Sequence, residues 1–222
     1  MCFSPEADLT TGVVVAVVGI DALRHVSRPS QVVLASLPML FALHQVDESF
    51  VWWGLRGQLP FGVTHAAIYI FLAFAFALPF LVPLAMFRSE TVPWRRWVMG
   101  ALLAIGAVTT AFLMSAIVGG QVGASIDGHH IAYTAGVTYA VLLTVLYVVA
   151  TCGSLLAASD RVLAAFGLAN LAVVGVINWL TFTGLTSLWC AWAAIGSVAI
   201  AVYLRRVGGS SARLDVASPA AA

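Results

Sequence analysis

Hydrophobic and polar positions along this chain separate into long apolar runs with short polar breaks. Seven runs reach the roughly 20 residues that a tilted membrane span needs. They fall at roughly 8–26, 32–55, 62–87, 95–118, 131–157, 162–182 and 185–204. Short breaks between long apolar helices imply antiparallel neighbours. The pattern predicts an all-α, polytopic membrane protein: a seven-transmembrane helix bundle in one domain over 1–207. A small, polar cytoplasmic tail over 208–222 (beginning GGSSARLDV) is expected to be disordered. No internal repeat suggests a two-fold transporter architecture.

The second run breaks its own pattern. Leu40–Trp53, LFALHQVDESFVWW, sets His44, Gln45, Asp47 and Glu48 inside an otherwise apolar helix. At about 100° per residue, these four and Trp52 fall in one sector roughly 160° wide. A carboxylate at mid-bilayer costs about 2.5–3.5 kcal/mol on insertion scales, so this sector needs partners or water.

Composition agrees with the membrane reading. The 222 residues are 62% hydrophobic and 9% charged, too little polar surface to cover a soluble domain. The net charge of +1 gives no support to nucleic acid as a partner; lipid bilayer and a lipid or small-molecule ligand are the partners expected. All ten basic residues are arginine. With no lysine, neither a retinal nor a pyridoxal phosphate Schiff base can form. The N-terminus lacks a basic region before its apolar run, so it does not read as a cleaved signal peptide.

Nine arginines (Arg24, Arg28, Arg88, Arg95, Arg96, Arg161, Arg205, Arg206 and Arg213) fall in the breaks after runs 1, 3 and 5 and beyond run 7; Arg56 alone is on the other side. This bias predicts a multi-pass protein of the cell membrane with its N-terminus outside and C-terminus cytoplasmic. It also gathers His44, Glu48, His65, Asp127, His129 and His130 in the outer half, with Tyr133 one turn into span 5. Trp189 and Cys190 enter from the same side.

Several chemistries fit these residues. His44 and Glu48, four apart, share a helix face and with His130 and Cys2 (or His65) could bind zinc or copper. The same residues could instead form a buried hydrogen-bond network satisfied by Gln45, Tyr133 or an arginine. Glu48, Asp47 and His130 are the candidate catalytic groups, as acid, base or proton shuttle. Gln45, Arg56, Tyr133, Trp52 and Trp189 are candidates for binding substrate; for Arg56 the default is that it ends its helix, and Trp52, Trp53, Trp94, Trp97 and Trp179 suit interfacial belts. Cys2 would be a nucleophile if Met1 were removed, or could form a disulfide with Cys190. Asp21 is explained by a local pair with Arg24. Gly100, Ala104, Ala107 and Ala111 form a small-residue seam for close packing of span 4, and Pro79 and Pro83 should kink span 3.

MCFS (Cys2, Ser4), LFALHQxxExxxW (Gln45, Glu48, Trp52), HIAY (His130, Tyr133), ATC (Cys152) and SLWC (Trp189, Cys190) together resemble an uncharacterised bacterial family of multi-span membrane proteins, from Met1 to about Leu204. The resemblance implies an architecture and a residue shortlist (Glu48, Gln45, His130 and Cys2) but no activity. The chain departs from that pattern at His44, Asp47, Ala77 and Val137. The HxxxH of seven-span zinc hydrolases is absent late in the chain. The function expected is a membrane-embedded, hydrolase-like enzyme, with or without a metal, acting on a lipid or small amphiphile from the outer half. The alternatives are a proton- or ion-coupled transporter and a non-enzymatic binding or sensor subunit.

Overall fold

A computed structural model describes residues 4–120, 122–180, 192 and 195–208, and among these the chain is mostly helical. The helices are α1 (Pro5–Arg24), α2 (Val32–Leu55), α3 (Phe61–Ser89), α4 (Pro93–Val118), α5 (Ala140–Leu156), α6 (Arg161–Leu180) and α7 (195–208). A 3-10 turn, Pro29–Gln31, leads into α2. Of these, α3 and α4 are long and apolar enough to cross a membrane. The expected disordered tail beyond residue 208, and the Cys2–Cys190 disulfide, lie outside the described residues.

Local chemistry sets the helix ends. Ser4 caps α1 by accepting the Ala7 amide at 3.2 Å, with Pro5 in the first turn, where its missing N–H costs nothing. Asp160 caps α6, its Oδ1 accepting the amides of Val162 (2.8 Å) and Leu163 (3.2 Å).

The fifth apolar run is not one helix. Residues 131–135, expected at the start of span 5, instead enter an antiparallel hairpin, β1 (Val122–Asp127) with β2 (His130–Ala135), and 136–139 turn into α5. Tyr133 therefore lies on a strand rather than one turn into a helix, and the fold is not purely α. Val122 pairs with Ala135 and Asp127 with His130, leaving Gly128–His129 as the turn. Gly128 has φ +59° at its first position, which a side chain would disfavour. Alternation in VGASID and HIAYTA carries the strand signal. It was hidden by an apolar content that suits a span equally well.

Helix α3 is central, packing on α2, α4 and α5. Its prolines organise these contacts. Pro79 has no N–H for the carbonyl of Ala75, four residues back, and the Tyr147 hydroxyl of α5 donates to that carbonyl at 3.0 Å. Pro83 likewise frees the carbonyl of Pro79, and Gly106 of α4 is seated against it; a Cβ there would overlap that oxygen. Close packing of α4 thus uses Gly106, with Thr109 and Leu113 also buried, whereas Ala104 and Ala111 of the expected seam are exposed. Tyr147→Phe should cost about 1–3 kcal/mol by leaving the Ala75 carbonyl unmatched in an apolar core. Thermal unfolding of the variant in detergent would read the loss, and unchanged stability would show that the hydroxyl contributes nothing.

At the opposite end from the hairpin, Asp21 does not pair locally with Arg24. Its carboxylate accepts from Arg205 Nε at 2.7 Å and lies 3.6 Å from His25 Nδ1, tying α1 to α7. Such a partner, 184 residues away, is invisible to i,i+3 reasoning.

A carboxyl and amide candidate site at the α1–α2 contact

Helix α2 turns one face fully inward. His44, Gln45, Glu48, Ser49 and Trp52 are each at most 3% exposed. Asp47, about 100° away around the helix, is half-buried. Trp52, a candidate for an interfacial belt, is instead a core residue, whereas Trp94, Trp97 and Trp179 are exposed.

Close packing with α1 explains how this face is covered. Residues Pro5, Asp8, Gly12, Val15, Gly19 and Ala22 form the buried stripe of α1, spaced three and four apart. A Cβ on Gly12 would come within 2.8 Å of Val46 Cγ2, and one on Gly19 within 2.8 Å of the Met39 amide nitrogen. At the N-terminal end of α1 the Ser49 hydroxyl donates to the Pro5 carbonyl at 3.0 Å. Pro5 opposite Ser49 and Gly12 opposite Val46 fix an antiparallel register. At the common rise of 1.5 Å per residue, that register sets Asp8 opposite the Gln45–Ser49 turn. Asp8 is fully buried. The sequence reading missed it by treating Asp8 as the edge of span 1; the stripe of small residues, followed towards the N-terminus, leads to it.

Rings build the other wall. His44 stacks on Phe71 of α3 (4.0 Å between centroids, 20° between planes), with Phe74 at 4.6 Å. Tyr133 of β2 also stacks on Phe71, at 4.1 Å and 7°. Two rings cannot share one face of Phe71 at that spacing, so Phe71 lies sandwiched between α2 and the hairpin. Ile131, fully buried with Val51, Trp52 and Ile68, fixes the hairpin over the ends of α2 and α3. Arg56 does end α2, as its C-cap, and also rests its guanidinium 5.2 Å from the Trp52 ring centroid in a cation–π contact.

Polar atoms at this site need accounting for. Among the described residues, no hydrogen-bond partner is present for Gln45 Oε1 or Nε2, Asp47 Oδ2 or Trp52 Nε1, all buried. A buried amide with both ends unmatched is costly and calls for water, a ligand or another segment of chain.

The remaining candidates are more dispersed. His130 pairs with Asp127 at 3.7 Å across the base of the hairpin turn. His65 is exposed, against Phe61 and Tyr69. Among the described residues, no three His, Cys, Asp or Glu side chains are grouped to hold a metal ion. Cys2, the fourth ligand considered with His44, Glu48 and His130, lies outside the described residues, as do Trp189 and Cys190.

A profile for a family of unknown function, DUF6629, matches residues 1–214. The chain belongs to that family. No curated protein matches it, and no solved structure does. Membership in DUF6629 thus brings no activity, and the chemistry of the site has to be argued from its own residues.

Proposed function

We propose that this DUF6629 member is a seven-span protein of the cell membrane, N-terminus outside, whose outer half holds an acid–base site acting on a lipid or small amphiphile. The nine-to-one division of arginines supports the orientation. Burial supports the environment: Val13, Val14 and Val17 of α1 and Val141, Leu142 and Val145 of α5 are all more than half exposed, while Asp8, Gln45 and Glu48 are buried. That inverts the order favoured in water and suits a hydrocarbon solvent.

The observation that carries the reading is the Gln45 amide, deeply buried with donor and acceptor both unmatched among the described residues, one turn from Glu48. An amide so placed can hold a carbonyl and a hydroxyl or amine of one ligand. For an ester, a carboxylate of the site takes a proton from water as it attacks the carbonyl carbon. A carboxyl returns one to the departing alkoxide, giving acid and alcohol. Glu48 and Asp8 are the two carboxyls for these roles, with Asp47 beside them. A carrier would need the polar path to continue inward. Inward of the site the described residues enclose a largely apolar cavity of about 50 Å³, with Tyr147, Thr151 and Asn170 as its polar lining.

Gln45→Leu separates a ligand-holding amide from a structural one. The variant should be as stable as the parent, or more so by about 1–2 kcal/mol, because it removes an unmatched polar group. Its turnover of a panel of lipid esters in detergent should fall at least about tenfold, the loss expected when a hydrogen bond worth about 1.4 kcal/mol goes. A variant that unfolds would make Gln45 part of the scaffold and end this reading. So would a parent protein inactive on the whole panel.

A further inference from the structure

We propose a binding site for one anionic phospholipid at the arginine-rich end of α3 and α4. It rests on the membrane reading above but is independent of the acid–base site.

Two adjoining hollows make the site. The first is an open groove of about 740 Å³ between the end of α3 and the start of α4, bordered by Phe87, Thr91, Arg96, Trp97 and Gly100. Its floor is the ring of Phe87. Gly100 leaves that ring uncovered: a Cβ there would stand only 3.5 Å from Phe87 Cε2, and a longer side chain would fill the groove. Trp97, 82% exposed, forms an outer wall. Aromatic walls around a slot at the membrane interface suit an acyl chain lying beside its glycerol backbone.

The second hollow is a polar cleft of about 310 Å³, lined in part by Arg28, Ser30, Ser89 and Ser159. Thr91 borders both hollows, which places them side by side, and the proposed lipid lies across the two. The carboxylates near the cleft are already engaged. Asp160 caps α6, and Glu90 accepts the amides of Thr91, Val92 and Ser159.

Charge names the occupant. Arg95 and Arg96 are neighbours with opposite fates. Arg95 turns in, Nη1 donating to the carbonyls of Ala157 (2.9 Å) and Ala158 (2.7 Å) at the end of α5. Arg96 turns out over the Phe87 ring, 4.8 Å from its centroid, at the mouth of the groove. Neither Arg96 nor Arg28 forms an ion pair among the described residues. Two guanidinium groups without an ion pair among the described residues, beside hydroxyls and an apolar slot, fit a phosphodiester carrying acyl chains.

Native mass spectrometry of the full chain, released from detergent with phosphatidylglycerol and phosphatidylcholine in equal amounts, tests this. The parent should retain one phosphatidylglycerol in preference to phosphatidylcholine. Arg96→Gln should lower that preference about fivefold, the share of one arginine near a charged headgroup. Gly100→Leu should lower retention of both lipids. Both positions are at the surface of the bundle, and circular dichroism reads whether the fold survives. Equal retention of the two lipids by the parent, or a preference untouched in both folded variants, overturns the proposal. Displacement by millimolar inorganic phosphate as effective as by phosphatidylglycerol overturns its lipid part. Labelling of cysteines placed at Gly57 and Thr91, in a background without native cysteines, reads the membrane topology separately. An inserted chain without lipid preference refutes this site alone.

Discussion

Gly106→Leu should prevent α3 and α4 from packing and leave little folded protein to purify. A leucine is well tolerated by helix propensity, so the cost is purely one of space. A Cβ at Gly106 overlaps the Pro79 carbonyl. Overpacking commonly costs about 1–3 kcal/mol because flexible side chains give way, but here the atom met is backbone, in a helix that already lacks the amide hydrogen bonds of Pro79 and Pro83. The helices must move apart, withdrawing Thr110 from the Phe76 carbonyl it reaches at 3.0 Å. The expected loss is about 4 kcal/mol or more, in the exceptional range for a single substitution. Gly106→Ala should cost less but still lower the melting temperature. Gly100→Leu, facing the open groove, is the matched control and should leave it nearly unchanged. Fluorescence-detected size exclusion and thermal melts of the three variants would check the order. A well-folded Gly106→Leu protein would mean that α3 and α4 do not meet at this point.

Glu90→Ala should be nearly as damaging, through electrostatics rather than space. Glu90 follows α3 and is only 6% exposed, yet both its oxygens are used. Oε1 accepts from the amides of Thr91 (2.9 Å) and Val92 (2.8 Å), and Oε2 from that of Ser159 (2.9 Å), binding the α3–α4 connection to the α5–α6 connection. Burial acts to raise its pKa, and the hydrogen bonds from Val92, Ser159 and Thr91 overcome it, so the carboxyl sits below its ordinary value of 4.5. A folded-state pKa that is depressed gives stability present at pH above the ordinary value and lost as pH falls through the lowered one. Alanine removes three charge-assisted bonds and should cost about 3–4 kcal/mol at neutral pH. Glutamine, which accepts on one side only, should cost roughly half. The gap between parent and Glu90→Gln should close as pH is taken below 4.5. A gap that persists unchanged in acid would show that the carboxylate charge is not what holds the two connections.

Helix placement was legible because apolar runs of 20 or more residues leave few alternatives. The expected 32–55 coincides with α2, and the expected third, fourth and sixth runs agree with α3, α4 and α6 within about two residues at each end. The fifth run failed for a physical reason: Ile131, Tyr133 and their neighbours are as apolar as a span but alternate at period two, and length was weighed over period. At the site, the α2 face was readable because helical geometry alone gathers His44, Gln45, Glu48 and Trp52. Asp8, Phe71 and the stacking of Tyr133 were not, since each needs the register between separate elements. The Asp21–Arg205 pair and the Tyr147–Ala75 bond belong to the same class. Pro79 did announce a carbonyl in need of a donor, although not which one would arrive.

On the membrane reading proposed above, the hairpin has one further consequence, for the bilayer rather than for the protein. By taking residues 131–135 out of the fifth run it leaves α5 only 17 residues, about 25 Å of helix, beside the 26 residues of α4, about 39 Å. Against a hydrocarbon layer of about 30 Å the shorter helix is mismatched. With Val141, Leu142 and Val145 facing outward, lipids there must thin rather than the helix tilt away its neighbours. In the proposed orientation the outer leaflet should therefore dip beside α5, lowering headgroups and interfacial water towards the depth of Tyr133.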